Sequence, residues 1–173
     1  MKSAEGNNHP SSEALGAESI QLAQGNGGTL TKRLIDHVFK NKANKDLDLL
    51  HDAATVTFDG PYLSITTDSF VVSPPTFPGG NVGALSVYGT VNDLAVVGAT
   101  PRYISTAFII EEGFSLSTLK QIVNGMHQAA AETKVAIVTG DTKLSRKAVV
   151  AAFLSIQRVL ETAEMRRFGI PVL

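Results

Sequence analysis

The chain has 173 residues, 43% of them hydrophobic, which is enough for one domain with a buried core and too little for two ordinary ones. Its 15 basic and 16 acidic side chains leave a net charge of −1, so it carries no electrostatic footprint for a nucleic-acid backbone or an anionic membrane surface. Cysteine is absent, which excludes a disulfide, a thiolate metal site or a cysteine nucleophile within these residues.

The first nineteen residues are polar and small and lack the apolar stretch of a signal peptide. No later run approaches the roughly 20 apolar residues of a membrane span. The expectation is a cytoplasmic protein with a disordered leader over residues 1–19. Ile20 to Leu22 then predicts a short strand running into Gly25-Asn26-Gly27-Gly28, and Thr29 opens a helix through Lys40 with Leu30, Leu34 and Val38 on one face. The segment 41–52 is charged and reads as solvated. Thr55 to Phe58 and Tyr62 to Thr66 flank Asp59-Gly60, a pair that tolerates positive φ, and so predict a hairpin whose second strand continues into Thr67-Asp68-Ser69-Phe70.

The proline- and glycine-rich stretch 73–81 predicts a loop without regular structure. Residues 82–97 are apolar on nearly every side and predict a buried helix, in which the polar members are the informative ones. Tyr103 to Ile110 reads as a central strand. Ser115 begins a helix with Leu116, Leu119, Val123, Met126 and Ala130 on one stripe, and Lys134 to Thr139 reads as a buried strand ending in Gly140-Asp141-Thr142-Lys143. From Arg146 to Arg167, Val149, Phe153, Ile156 and Leu160 fall at helical spacing. Together these elements predict an α+β domain, a mixed β-sheet with helices packed on one face.

Three aspartates stand out by placement: Asp68 after a strand, Asp93 inside the apolar helix and Asp141 after the last strand. An ionised carboxylate in an apolar interior costs several kcal/mol unless it is paired or bound to a metal. Asp93 therefore needs a partner, either Arg102, a neighbouring loop, or Mg²⁺ with a polyphosphate, since Mg²⁺ takes oxygen ligands from one or two carboxylates plus phosphates. Taken singly, Asp68 and Asp141 also suit turn or cap roles. Gly25 to Gly28 offers unobstructed backbone N–H groups ahead of a helix, a pattern that suits an anion and equally a structural turn. Lys143 beside Asp141 could meet a phosphate or simply be solvated.

Other chemistries find no support in the pattern. No GxxxxGK[ST] occurs, and no GxGxxG follows a strand. His9, His37, His51 and His127 have no metal-ligand spacing and read as surface residues. Ser64, Ser69 and Ser86 lack a GxSxG context.

Several strings, in order, carry a resemblance: Ile20-Gln21-Leu22-Ala23 with its glycine loop, Thr66-Thr67-Asp68-Ser69-Phe70, Phe77-Pro78-Gly79-Gly80-Asn81-Val82-Gly83, Gly89-Thr90-Val91-Asn92-Asp93-Leu94-Ala95, Gly98-Ala99-Thr100-Pro101-Arg102-Tyr103 and Thr139-Gly140-Asp141-Thr142-Lys143. From about Ile20 to Leu144 the sequence resembles the HypE family of hydrogenase-maturation carbamoyl dehydratases, in the aminoimidazole-ribonucleotide-synthetase (AIR-synthetase-like) superfamily. The resemblance implies the N-terminal ATP-binding domain of that superfamily, dimerising through its sheet, with ATP and Mg²⁺ near the dimer interface. It implies Asp68, Asp93 and Asp141 as metal or phosphate ligands, with Gly27, Gly28, Asn92, Thr142 and Lys143 at the nucleotide. It further implies ATP-dependent dehydration of an enzyme-bound carbamoyl group to a thiocyanate, which supplies the cyanide ligands of nickel–iron hydrogenase. A HypF-like protein would supply the carbamoyl group, and a HypC–HypD-like pair would receive the cyanide.

The departures from that family are specific. Its members carry a second α/β domain and a terminal cysteine, whereas this sequence has no cysteine, and Gln24 stands where a histidine is expected before the first glycine. The expected division is thus a leader over 1–19, the ATP-binding domain over 20–145 and a divergent helical tail over 146–173. That division leaves two readings: the nucleotide-binding half of such an enzyme, or a non-catalytic ATP-binding or dimerisation module derived from it.

Overall fold

Strand Ala99–Glu111 organises the molecule, because its even-numbered residues Ile104, Thr106, Phe108 and Ile110 are all buried while their neighbours are partly or fully exposed. Such alternation marks a strand with one covered face. The structure, a computed structural model, describes residues 19–40, 53, 56–57, 60, 63–146 and 150–159, the last of these through their backbone. The elements are α1 (Thr29–Leu34, continued by a π-helical turn, Ile35–Phe39), β1 (Leu63–Phe70), β2 (Thr76–Phe77), β3 (Gly80–Asn81), α2 (Val82–Val96), β4 (Ala99–Glu111), α3 (Leu116–Thr133), β5 (Ala136–Ser145) and β6 (Val150–Val159).

One four-stranded sheet runs in the order β1-β6-β4-β5, with β4 and β5 parallel and the other pairs antiparallel. The parallel pair is joined through α3, as a parallel connection requires. The core lies between the sheet and the helices: Leu34 and Val38 from the first helix, Val82 and Val87 from α2, and Leu119, Ile122, Val123, Met126 and Ala129 from α3 meet Ile104, Phe108, Ile110 and Ile137. The mixed sheet with helices on one face agrees with the sequence reading.

Local chemistry sets the helix starts. Asn81 Oδ1 accepts from the Ala84 N–H at 3.0 Å, and the Ser115 hydroxyl accepts from the Thr118 N–H at 3.3 Å, so each satisfies a donor left without a partner inside its own helix. Where α2 crosses α3, a Cβ on Gly83 would lie 2.1 Å from the carbonyl oxygen of Ile122. Glycine is the residue that permits this backbone approach.

Several expectations are corrected. Ile20 to Leu22 forms no strand; Leu22–Gly25 is a 3₁₀ turn, because Gln21 and Gln24 satisfy each other's backbone across it. The strand beginning at Leu63 pairs with β6, while Thr55, Phe58 and Asp59 of the expected hairpin lie outside the described residues and Val56 and Thr57 belong to no strand. The proline-rich loop contains the short ladder of β2 and β3. The helix from Val82 is covered on one side only, leaving Leu85, Tyr88 and Val96 exposed.

Val150–Val159 is a strand, not a helix. Ala148 to Leu154 is apolar at every position, a run that periodicity assigns to neither state. Hydrogen bonding to both β1 and β4 decides it. The leader 1–18, the charged segment 41–52 and residues 160–173 lie outside the described residues. No helix among the described residues is long and apolar enough to cross a membrane.

Candidate nucleotide site and family

The glycine loop is held by the strand ends beneath it. Ile20 is buried, donates its N–H to the Phe114 carbonyl at 2.7 Å and accepts from the Gly113 N–H at 2.6 Å. The Leu22 N–H reaches Glu112 Oε1 at 3.3 Å. Gly25 lies against the Leu144 side chain, which brings the loop beside the end of β5. Gly27 has a φ of +80° and donates its N–H to the Thr31 hydroxyl at 3.0 Å, and Gly28 caps α1. Gly27 and Gly28 are both exposed.

Asp141, Thr142 and Lys143 lie within β5, not in a loop after it. Asp141 Oδ1 accepts from the Thr142 N–H at 2.9 Å and meets Lys143 Nζ at 3.2 Å, both side chains being well exposed. A register shift at Ile104/Ser105 sets Ala107 opposite Asp141 and Thr106 opposite Gly140. Asp141 therefore shares the helix-free face with Ala107 and Ser69, its row partners across the sheet.

Asp68 lies on the other face. Its row partners are Phe153 on β6 and, beyond it, buried Thr106 on β4, so it shares the helix-covered side with Thr66 and Phe70. Phe70 lies against Gly89 of α2, and one helical turn on, the Thr66 hydroxyl donates to Asp93 Oδ2 at 3.5 Å. Asp68, between Thr66 and Phe70 on that stripe, is thereby set towards the same stretch of α2 and accepts from the Ser69 N–H at 2.9 Å. Asp93 is exposed, which corrects the expectation of a buried carboxylate. Of the apolar residues that follow it, Leu94 is buried, whereas Ala95, Val96 and Val97 are exposed as Asp93 is. Asn92 is exposed next to it.

The structure thus sets Asp68 and Asp93 on one side of the β1 edge, and Thr142 with the glycine loop on the helix-covered face of the β5 edge, with Asp141 and Lys143 on the reverse face. Three inter-strand steps separate these edges, about 14 Å at the usual strand spacing. Among the described residues no group of three or more His, Asp or Glu side chains could hold a metal ion. A pair of carboxylates is the usual protein share of a Mg²⁺ shell, which phosphate and water oxygens complete; of the three aspartates, Asp68 and Asp93 are the two on one side of the sheet.

Sequence reasoning missed Thr66, Glu112 and Leu144, whose partners lie 27, 90 and more than 100 residues away in the chain, beyond any local pattern. His127, expected at the surface, is half-buried and bonds through Nε2 to the Phe39 carbonyl at 3.0 Å.

Residues 50–157 match the family described as AIR synthase related protein, N-terminal domain. The chain belongs to that family. The AIR synthase related domain here takes in β6, so the segment read as divergent contains a strand within the matched range. The chain is 43% identical over 138 residues to the carbamoyl dehydratase HypE of Escherichia coli strain K12, covering 76% of this chain and 41% of that one. Among solved structures it is similar to the hydrogenase maturation protein HypE in complex with ATP, at 42% identity and a TM-score of 0.77 over 81% of this chain and 43% of that one. It is also similar to a chain of a HypE–HypF complex, at 40% identity and a TM-score of 0.55 over 78% of this chain and 43% of that one. The chain thus spans about two fifths of the length of the HypE relatives it matches.

Proposed function

We propose that this chain binds ATP with Mg²⁺ and serves as the nucleotide-binding half of a HypE-like hydrogenase maturation factor. The observation that carries the reading is the glycine loop seated against Leu144 at the end of β5, on the strand face that Thr142 shares, on a fold at TM-score 0.77 to an ATP complex of HypE. In this reading the Gly28 N–H, joined by that of Gly27 once it leaves the Thr31 hydroxyl, and Thr142 meet the phosphates. Asp68 and Asp93 hold Mg²⁺ with Asn92 beside them; lying about 14 Å away at the β1 edge, they reach the same nucleotide from a second copy, as does Lys143 on the reverse face of β5. The metal would neutralise phosphate charge and orient the terminal phosphoryl group. Asp141 lies on the other face of the sheet from Asp68, and it would join a metal site only where a second copy brings its sheet alongside.

That face offers a surface for a homodimer: Ile65 and Ile109 are exposed on it, in register with β6 and β4. The maturation chemistry would be ATP-dependent dehydration of a carbamoyl thioester group to a thiocyanate, with HypF-like and HypC–HypD-like partners in the cytoplasm. This sequence has no cysteine, so the sulfur must come from outside these 173 residues. The missing thiol also favours a second reading, a non-catalytic ATP-binding or dimerisation module.

Calorimetric titration of ATP, with and without Mg²⁺, tests the reading. Magnesium-dependent binding that Asp93→Ala abolishes is the expected result, and no binding to the wild-type chain would overturn it. Carbamoyl turnover on addition of a cysteine-bearing HypE second half separates the enzyme reading from the module reading.

A further inference from the structure

A Cβ added to Gly25 would stand 2.8 Å from Cγ, 2.9 Å from Cβ and 3.1 Å from Cδ1 of Leu144, closer than side-chain carbons tolerate. The loop therefore rests on Leu144 with no slack, and only a residue without a side chain fits. Leu144 in turn is packed against the buried core and lies three residues after Asp141 on β5. On the entry side the loop is fixed by the Ile20 backbone bonds to Gly113 and Phe114 and by the Leu22 bond to Glu112. Glu112 itself is tied to the end of β5 by its N–H to the Ser145 carbonyl at 2.8 Å. The Gln21–Gln24 cap closes the turn just before Gly25.

We infer that Gly25 and Leu144 form a positioning contact that sets the height of the glycine loop over β5. It thereby fixes the distance from the Gly27–Gly28 backbone to Thr142, which shares the Leu144 face of β5, across a bound polyphosphate. The inference rests on the nucleotide reading above and adds two residues to it, neither of which touches the ligand. Leu144 acts through Gly25, and Gly25 acts through the loop. A displacement near 1 Å of groups that must converge on one ligand weakens recognition strongly, so the contact determines affinity even though both residues stand back from the phosphates.

The test is a double-mutant cycle in the full 173-residue chain, read by MgATP affinity and by ¹⁵N amide spectra of the ligand-free protein. Gly25→Ala should lower MgATP affinity about tenfold, and in a Leu144→Ala background, where Cγ and Cδ1 are gone, the same change should cost about threefold or less. Equal losses in both backgrounds, or no loss, overturn the inference. Leu144→Ala alone should weaken binding while Leu144→Met, which refills the space, restores it. Failure of Met to restore it would also count against the contact, and this arm stands if Gly25→Ala does not fold. In the amide spectra Gly25→Ala should move Gly27 and Gly28, and less so in the double variant. Unmoved resonances overturn the inference. If the wild-type chain binds no MgATP, the nucleotide reading fails by itself, and the amide spectra still decide whether the contact sets the loop.

Discussion

The Thr66 hydroxyl on β1 donates to the Asp93 carboxylate on α2 at 3.5 Å, linking the helix to the sheet edge at the place where Asp68 shares the same strand face. Asp93 lies in the last turn of α2, three residues before its final residue Val96. Negative charge there opposes the helix dipole at a cost of about 0.3–1 kcal/mol. An exposed carboxylate in that position does little for the fold, which favours a role with a cation.

Asp93→Asn should therefore leave the melting temperature unchanged or slightly raised while removing magnesium-dependent ATP binding. Thr66→Val should weaken that binding without abolishing it. A variant that lost stability and binding together would assign Asp93 a structural role instead. Thermal melts paired with calorimetry separate the two outcomes.

The crossing of α2 and α3 predicts a purely structural effect. Gly83→Ala would set a methyl group 2.1 Å from the Ile122 carbonyl oxygen, a backbone atom that cannot swing aside, so the helices must part. Overpacking of this kind costs about 1–3 kcal/mol. The urea midpoint should fall accordingly.

Burial pushes the His127 imidazole below its ordinary value of 6.5, and the hydrogen bond to the Phe39 carbonyl only partly opposes it. The folded state thus holds fewer protons than the unfolded state at pH values below about 6.5. Stability from this group is fully present above that pH and is lost as the pH falls through it. The wild-type melting temperature should decline between pH 7.5 and 5. In His127→Gln, which keeps a donor for Phe39, that part of the decline should disappear. Asp36 behaves in the same sense at lower pH: burial raises it, but Lys40 and Lys32 together hold it below its ordinary value of 3.8.

Chain termination after Ser145 should leave a protein that aggregates. β6 is bonded on one side to β1 and on the other to β4, so its removal separates β1 from the sheet and opens an edge on β4. Such edges invite association with other chains. A soluble, monomeric product with native circular dichroism would show that β1 and β4 can re-pair without it.

How far the sequence reached can be followed element by element. The helix with Leu119, Val123, Met126 and Ala130 on one stripe, the strand through Ile104 to Ile110 and the helix from Val82 were legible because period and capping residues are local: Asn81 and Ser115 sit where the helices start, and apolar spacing does the rest. The aspartates, the glycine loop and Lys143 stood out as candidates by residue type and by family resemblance.

Other features depended on partners distant in sequence. Val150–Val159 became a strand because it bonds to segments near residues 63–70 and 99–109, a choice its apolar run leaves open. Asp141 and Asp68 fell on opposite faces because the pairing register and the shift at Ile104/Ser105 decide which way each strand residue points. A one-residue slip reverses a strand's faces. Asp93 proved exposed because α2 packs on one side, and Leu144 gained its role from meeting Gly25 across the fold. The sequence by itself determined which polar groups are candidates for phosphate and metal and where most helices start. Only the tertiary structure decided which of those groups share a face, since that is set by register and packing between segments far apart in the chain.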